Sequence, residues 1–296
     1  DEGHHMAAEP LGGKDIMINA RAKKTAGNIC LNLIYALIGA AMLLPIYYLV
    51  ITTFKTPAEA AASPLGLPEH FTLENYIKAL DAMAYGRALC NNLVITGCAV
   101  GLLLVFSSMA AYVIARSPRK VFQRMYSVFM VGLIVPFQIA IIPLYRIISG
   151  LHLMNTLPGV IVIDVFCINL PLSIFLFRGF INTVPKELEE AAYIDGCGVL
   201  RTFWTIIFPL LKPIVSTVAI LDALAVWNDF MTPLLFLQDP KKGVLLQEVY
   251  KNVGPFSTNW TSFFPMLVLA TLPLVVFYLI MQRSTIEGVV AGSVKG

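Results

Sequence analysis

Apolar residues in this chain gather into six long runs, at 29–52, 93–115, 126–148, 157–177, 206–235 and 263–281. Each run is near or above the roughly 20 residues that a helix needs to cross a bilayer. The pattern predicts an all-α polytopic membrane protein with six transmembrane helices. The fifth run is longer than one crossing requires, so a tilted or broken helix is expected there. The first is too long for a cleaved signal peptide and lacks an obvious cleavage site. Pro45, Pro136, Pro143, Pro171 and Pro273 lie inside the runs, where each removes a backbone hydrogen bond. Bent helices suit a path that opens and closes, because freed carbonyls can face a wet cavity; equally, proline is simply common in membrane helices. Gly97 and Gly101 let helices approach closely, and packing within the chain is the expected use.

Composition agrees. The 296 residues are 57% hydrophobic and 13% charged, with a mean hydropathy of +0.76; a soluble domain carries about 25% charged residues. The net charge of +3 gives no reason to expect nucleic acid as a partner. Cys30, Cys90, Cys98, Cys167 and Cys197 form no CxxC pair and are expected as small buried hydrophobes. Residues 1–20 are polar and patternless, and His4-His5-Met6 has the character of an expression tag. Residues 21–296 are then expected to form a single transmembrane domain.

Loop charge sets the orientation. The connection between runs two and three carries Arg116, Arg119, Lys120 and Arg124 with no acid, and Arg21, Lys23, Lys24, Arg178, Lys186 and Arg201 fall on the same side if the spans alternate. By the positive-inside rule both termini and the loop 178–205 are cytoplasmic. The other side holds mixed charge in loops 53–92, 149–156 and 237–262.

One charged segment interrupts the apolar runs: KELEEAAYIDGCGVLRTFWTIIFPLLKP, Lys186–Pro213. Pro185 suits a helical first turn, and the acids after it suit the positive end of a helix dipole. Gly196 and Gly198 break the pattern before a second helix begins near Leu200. Helix, glycine turn and helix beside a membrane make a docking element.

Glu190-Ala191-Ala192, three residues, Gly196, nine residues, then Ile206 and Pro209 resemble the EAA loop of ABC-importer permease subunits, with Phe208 where the family usually has Leu. Ile194-Asp195-Gly196 and Pro209-Leu210-Leu211-Lys212-Pro213 are similar to the carbohydrate-uptake branch, and within it to the shorter, maltose-permease-type subunit. The resemblance implies the type I importer permease fold in a bacterial inner membrane. It implies three kinds of protein partner around this chain: a second permease subunit, two ATP-binding cassette subunits and an extracytoplasmic solute-binding protein. It assigns ATPase coupling to Glu190, Ala191, Ala192, Asp195, Gly196 and Pro209. Glu190 would pair with a basic group of the ATPase, the alanines would permit close packing, and Gly196 would set the turn. Closure of the ATPases around ATP would pull the coupling helices together and turn the pore outward. The tail Glu287–Gly296, within 283–296, resembles the glycine-rich end that contacts those subunits.

Intramembrane polar groups are rare and costly, and usually face protein or water. Asp222 and Asp229, seven residues apart, are expected on one helical face, with Trp227 and Asn228 adjacent and Asp164 and Asn169 in the fourth run. Carboxylates and amides can bond sugar hydroxyls, and an indole can stack on a sugar ring. Asp222, Trp227, Asn228, Asp229 and Asn169 are therefore candidates for the translocation path, against the alternative of buried bonds between helices. Trp227-Asn228-Asp229 resembles a recurring family element that more often holds the fold. In the loop 237–262, Lys241, Lys242, Tyr250 and Trp260 read as a solvated surface, which the resemblance implies faces the binding protein. Pro68–Tyr76 and Asn91–Thr96 are similar to the sugar branch, with Asn91-Asn92 where asparagine-serine is usual.

No G-x-x-x-x-G-K-[S/T] occurs, since Gly12-Gly13-Lys14 is followed by Asp15, and no H-E-x-x-H or G-x-S-x-G occurs. The chain is therefore expected to be no enzyme and to hold no cofactor or metal, with ATP and magnesium bound by partner subunits. The alternative is an ion- or proton-coupled transporter using Asp164, Asp222 and Asp229, which needs no cytoplasmic docking element. A di- or oligosaccharide is the implied substrate. Asp222 and Asp229 weakly disfavour an anionic one, although basic groups on the second permease could reverse that, so an acidic oligosaccharide, glycerol phosphate and neutral disaccharides all stay open.

Overall fold

The computed structural model describes the backbone of residues 12–253 and 259–293, with side chains at 28, 31–253 and 259–281. Helices account for every regular element among the described residues. The chain packs as two units, Asp1–Thr72 and Leu73–Gly296.

In the first unit, α1 (Gly12–Thr52) carries a span at Leu31–Thr52. Residues 12–20, patternless to the eye, continue this helix, because its apolar run supplies the nucleus that a short polar peptide lacks. Leu33, Leu37, Met42 and Leu43 are exposed, as suits a helix surrounded by lipid or another apolar chain. The short α2 (Pro57–Ala62) starts where Thr56 accepts from the Glu59 amide, with Pro57 in the first turn. Lys55 is fully buried, and its ammonium donates to the Ser63 carbonyl at 2.7 Å. That bond closes the loop after α1.

The second unit opens with α3 (Glu74–Ala82) and α4 (Tyr85–Arg116). Asn91 and Asn92 thus lie in a helix and not in the external loop to which 53–92 was assigned from charge. The third run is not one helix: α5 (Lys120–Ile134) and α6 (Phe137–Gly150) meet at 110°. Pro136 is the cause, since a proline disfavours helical ψ in the residue before it, and Val135 takes ψ 118°. The fourth run is α7 (Leu157–Val162), a π-helical segment (Ile163–Asn169) and α8 (Leu170–Ile181), with Pro171 in the first turn of α8.

Next come α9 (Glu187–Ile194) and α10 (Val199–Thr202), a second π segment (Phe203–Ile207), α11 (Phe208–Leu210) and α12 (Lys212–Trp227). The chain bends by 80° between the stretch Val199–Leu210 and α12, so the fifth run is broken, as its length suggested. Then follow α13 (Met231–Phe236), a 3-10 turn (Pro240–Lys242), α14 (Leu245–Lys251) and α15 (Trp260–Ser293). Four spans are long and apolar enough to cross alone, and two bent pairs bring the number to six among the described residues.

The core of this unit forms where α4 packs on α8 and α12, with Ala99, Leu103, Ile174, Phe177, Phe203 and Val218 buried together. A Cβ on Gly97 or Gly101 would meet nothing within 4 Å. These glycines do not serve close packing inside the chain, because α4 makes that contact with a different face. Cys90, Cys98 and Cys167 are exposed and not buried as expected, since they point away from the same core. Cys30 lies outside the described side chains.

Candidate functional site

The charged segment folds from its own capping signals. The amides of Glu189 and Glu190 both donate to the Lys186 carbonyl, so the first turn of α9 starts at Lys186. Pro185 stands just before the helix and not inside its first turn. At the other end the Cys197 amide donates to Ala192 and the Gly196 amide to Tyr193, with Gly196 at φ +77°. This is a Schellman stop, which favours glycine because an L side chain is strained there.

α9 is held from one side. Ala192 is buried. Glu189 Oε1 accepts from Arg116 Nε at 2.6 Å, Glu189 Oε2 accepts from the Tyr112 hydroxyl at 2.9 Å, and Arg116 Nη2 donates to the Val184 carbonyl at 2.7 Å. The other side is open. Glu190, Ala191 and Asp195 are exposed, and so are Tyr193 and Ile194, at 81% and 83%. Val199 and Leu200 continue the apolar surface, whereas Pro209 sits in α11, beyond α10 and the second π segment. Glu189, which the sequence reading leaves among the acids after Pro185, is the residue that ties α9 to α4. Nothing local connects residue 116 with residue 189; only the shared charge of opposite sign hinted at it.

A second polar group lies among the spans. Asp222 accepts from the Ser173 hydroxyl at 2.9 and 3.0 Å, linking α12 to α8. Asp229 does not share its face, because α12 ends at Trp227 and Asn228 caps it. Trp227 donates its indole N–H to the Ala270 carbonyl at 3.1 Å, and Asn228 bonds back to Leu224. Trp227 thus ties α12 to α15, whereas Asn228 is exposed and bonds only within the end of its own helix. Asn169 and Asp229, together with Asp164 and Gln138, line a cavity of about 240 Å³. Asn169 Nδ2 donates to the Asp164 carbonyl at 2.9 Å across the π segment.

The stretch 237–262 is less solvated than its composition suggests. Leu245 and Val249 of α14 are buried, and Gln247 bonds the Val244 amide and the Leu237 carbonyl, because a helix there gives its apolar side to the core. Asn91 Nδ2 donates to the Gly243 carbonyl at 3.0 Å. Lys241 is exposed, while Lys242 Nζ donates to the Asn155 carbonyl at 2.5 Å. Tyr250 stacks with Phe230 and Trp260 with Phe264, at centroid separations of 5.0 and 5.2 Å, yet both remain about half exposed. Residues 254–258 and the tail's side chains lie outside the described residues.

Residues 104–285 match the family of binding-protein-dependent transport system inner membrane components. The chain belongs to that family. It is a multi-pass inner-membrane permease subunit, a transport component and not an enzyme. The permease is 34% identical over 277 residues to the melibiose/raffinose/stachyose import permease protein MelC of Bacillus subtilis (strain 168), covering 93% of this chain and 100% of the relative. It is 37% identical to the multiple sugar-binding transport system permease protein MsmG of Streptococcus mutans, covering 87% and 93%. A solved bacterial ABC transporter involved in import of the acidic polysaccharide alginate superposes with a TM-score of 0.78 at 19% identity, covering 88% of this chain and 97% of that one. That last likeness establishes the type I permease fold alone.

Proposed function

We propose that this permease is one half of the pore of an ATP-driven importer of a carbohydrate, a di- or oligosaccharide. It pairs with a second permease subunit and couples to two ATP-binding cassette subunits through the loop 178–205. A solute-binding protein delivers sugar to the opposite face near Lys241, Tyr250 and Trp260, and both termini are cytoplasmic. Residues 21–296 act as one permease domain.

One observation carries the reading: α9 is anchored on one side by Arg116 and exposes Tyr193 and Ile194 on the other. Large apolar side chains outside the spans mark an interaction surface. The names of the sugar-importing relatives support the substrate class. A proton-coupled transporter needs no such surface, and family membership argues against it.

Co-purification with the products of neighbouring genes, followed by ATPase and uptake assays in liposomes with binding protein, tests this. ATP hydrolysis stimulated by one sugar supports the reading. A chain that purifies alone and moves solute down an ion gradient without ATP overturns it.

A further inference from the structure

We propose that the cavity lined by Gln138, Asp164, Asn169 and Asp229 is a subsite of this subunit for the hydroxyl groups of a neutral carbohydrate. The inference rests on the carbohydrate-importer reading and adds which residues of this chain touch the sugar.

Three interruptions of helix meet at this cavity. Phe137 and Gln138 follow the 110° break between α5 and α6, Asp164 and Asn169 belong to the π segment, and Asp229 comes just after α12 ends. Irregular backbone at bilayer depth persists where it is buried in protein or lines a wet cavity, and broken helices mark substrate sites in transporters. These interruptions come from three separate stretches of sequence. Their convergence on one cavity gives that position a purpose.

The polar groups there lack donors. Asp164 is 1% exposed, and neither of its carboxylate oxygens, nor Asp229 Oδ2, has a hydrogen-bond partner among the described residues. Asp229 Oδ1 accepts from the Thr232 amide at 3.2 Å. The side chain that acts on Asp164 is the second carboxyl, Asp229, which brings no amide, hydroxyl or cation to it. Burial of such a group without a donor is costly. Asp222, nearby in sequence, has what Asp164 lacks: a hydroxyl, that of Ser173, donating to both oxygens. A vicinal diol supplies the same chemistry from a ligand, with two O–H donors matching two acceptors. Phe137 adds an aromatic wall for the C–H face of a sugar ring. A uronate would bring a further carboxylate beside two acids with no basic residue in the lining, so the class selected is neutral.

The test uses the full complex in liposomes with ATP and binding protein, assayed with melibiose, raffinose and maltotriose, and with trigalacturonate as the acidic counterpart. Asp164→Asn and Asp229→Asn should lower the sugar moved per ATP hydrolysed roughly tenfold or more, the loss of one charged hydrogen bond. ATPase rate and subunit co-purification should stay within about twofold, and trigalacturonate should not be moved by the wild type. Asp164→Ala should behave likewise; if it fails to assemble, the asparagine variants decide. Unchanged sugar per ATP in both asparagine variants overturns the subsite. So does loss of co-purification in both, which would place a basic group of the second permease between the acids. A wild type that moves trigalacturonate overturns the neutral class, and one that moves none of the four removes the carbohydrate reading itself, whereas normal wild-type uptake of a neutral sugar with unaffected variants removes only this inference.

Discussion

The Arg116 guanidinium lies 2.6 Å from the Glu189 carboxylate, with the two side chains only 12% and 17% exposed. It joins the last turn of α4 to the first turn of α9. Because α4 runs through the core against α8 and α12, this short, poorly solvated ion pair ties α9 to the spans. The neighbouring Arg116 bond to Val184 and the Tyr112 bond to Glu189 fix its geometry. Breaking such a pair leaves one charge uncompensated, at a cost on the order of 3 kcal/mol.

Arg116→Ala and Glu189→Ala should therefore each loosen α9 and reduce ATP-driven uptake, while the chain still inserts. Limited proteolysis within 178–205 should speed up in both. The exchange Arg116→Glu with Glu189→Arg should recover part of the loss. Uptake equal to wild type in either single variant would remove the strut.

Gly196 offers a test of the stop itself. At φ +77° a side chain is strained by about 1–2 kcal/mol, yet an added Cβ meets nothing within 4 Å in this chain. Gly196→Ala should thus cost only that strain. Gly196→Asp adds a charge on the open side of α9 and should uncouple ATP hydrolysis from uptake in a chain that expresses and inserts normally. Normal uptake by a well-expressed Gly196→Asp variant would count against the coupling role.

How far these features were legible depends on whether the signal is local. Long apolar runs announce spans from composition alone, and Gly196 announced its turn because only a local φ is involved. Pro136 was visible as a breaker, but not the size of the 110° break, which tertiary packing sets. The shared face of Asp222 and Asp229 failed because it assumed a helix through Asn228, and the sequence has no glycine or proline there to mark the stop. The cavity uniting Gln138, Asp164 and Asp229 joins residues up to ninety positions apart, beyond any periodicity. Arg116 and Glu189 were hidden for the same reason. The burial of α14 was missed because its lysines and tyrosine drew attention away from Leu245 and Val249.

Asp222 and Ser173 give a stability prediction independent of transport. Ser173→Ala leaves a buried carboxylate without its donor and should destabilise the detergent-solubilised complex by about 1–3 kcal/mol. Asp222→Leu combined with Ser173→Ala should cost less than the serine change alone, since replacing both partners with apolar groups removes the unmet acceptor. Thermal unfolding of these two variants and of Asp222→Leu alone checks this. Strict additivity of the two changes would mean the bond contributes nothing.

Ile194 is 83% exposed on the face of α9 turned away from Ala192 and Glu189, and Tyr193, one turn after Glu189, is 81% exposed at its edge. If an ATPase subunit covers them, Ile194→Lys should abolish its co-purification, because burying an unpaired ammonium at an apolar contact is strongly unfavourable. Association with the second permease should be unaffected, as should insertion, since Ile194 touches neither the core nor the spans. Glu190→Lys should act on the same contact by reversing a charge at its edge. The two variants separate docking from folding: a stable permease pair that has lost its ATPase subunits is the expected product, and intact co-purification from both variants would mean that the exposed face of α9 is not where the ATPase sits.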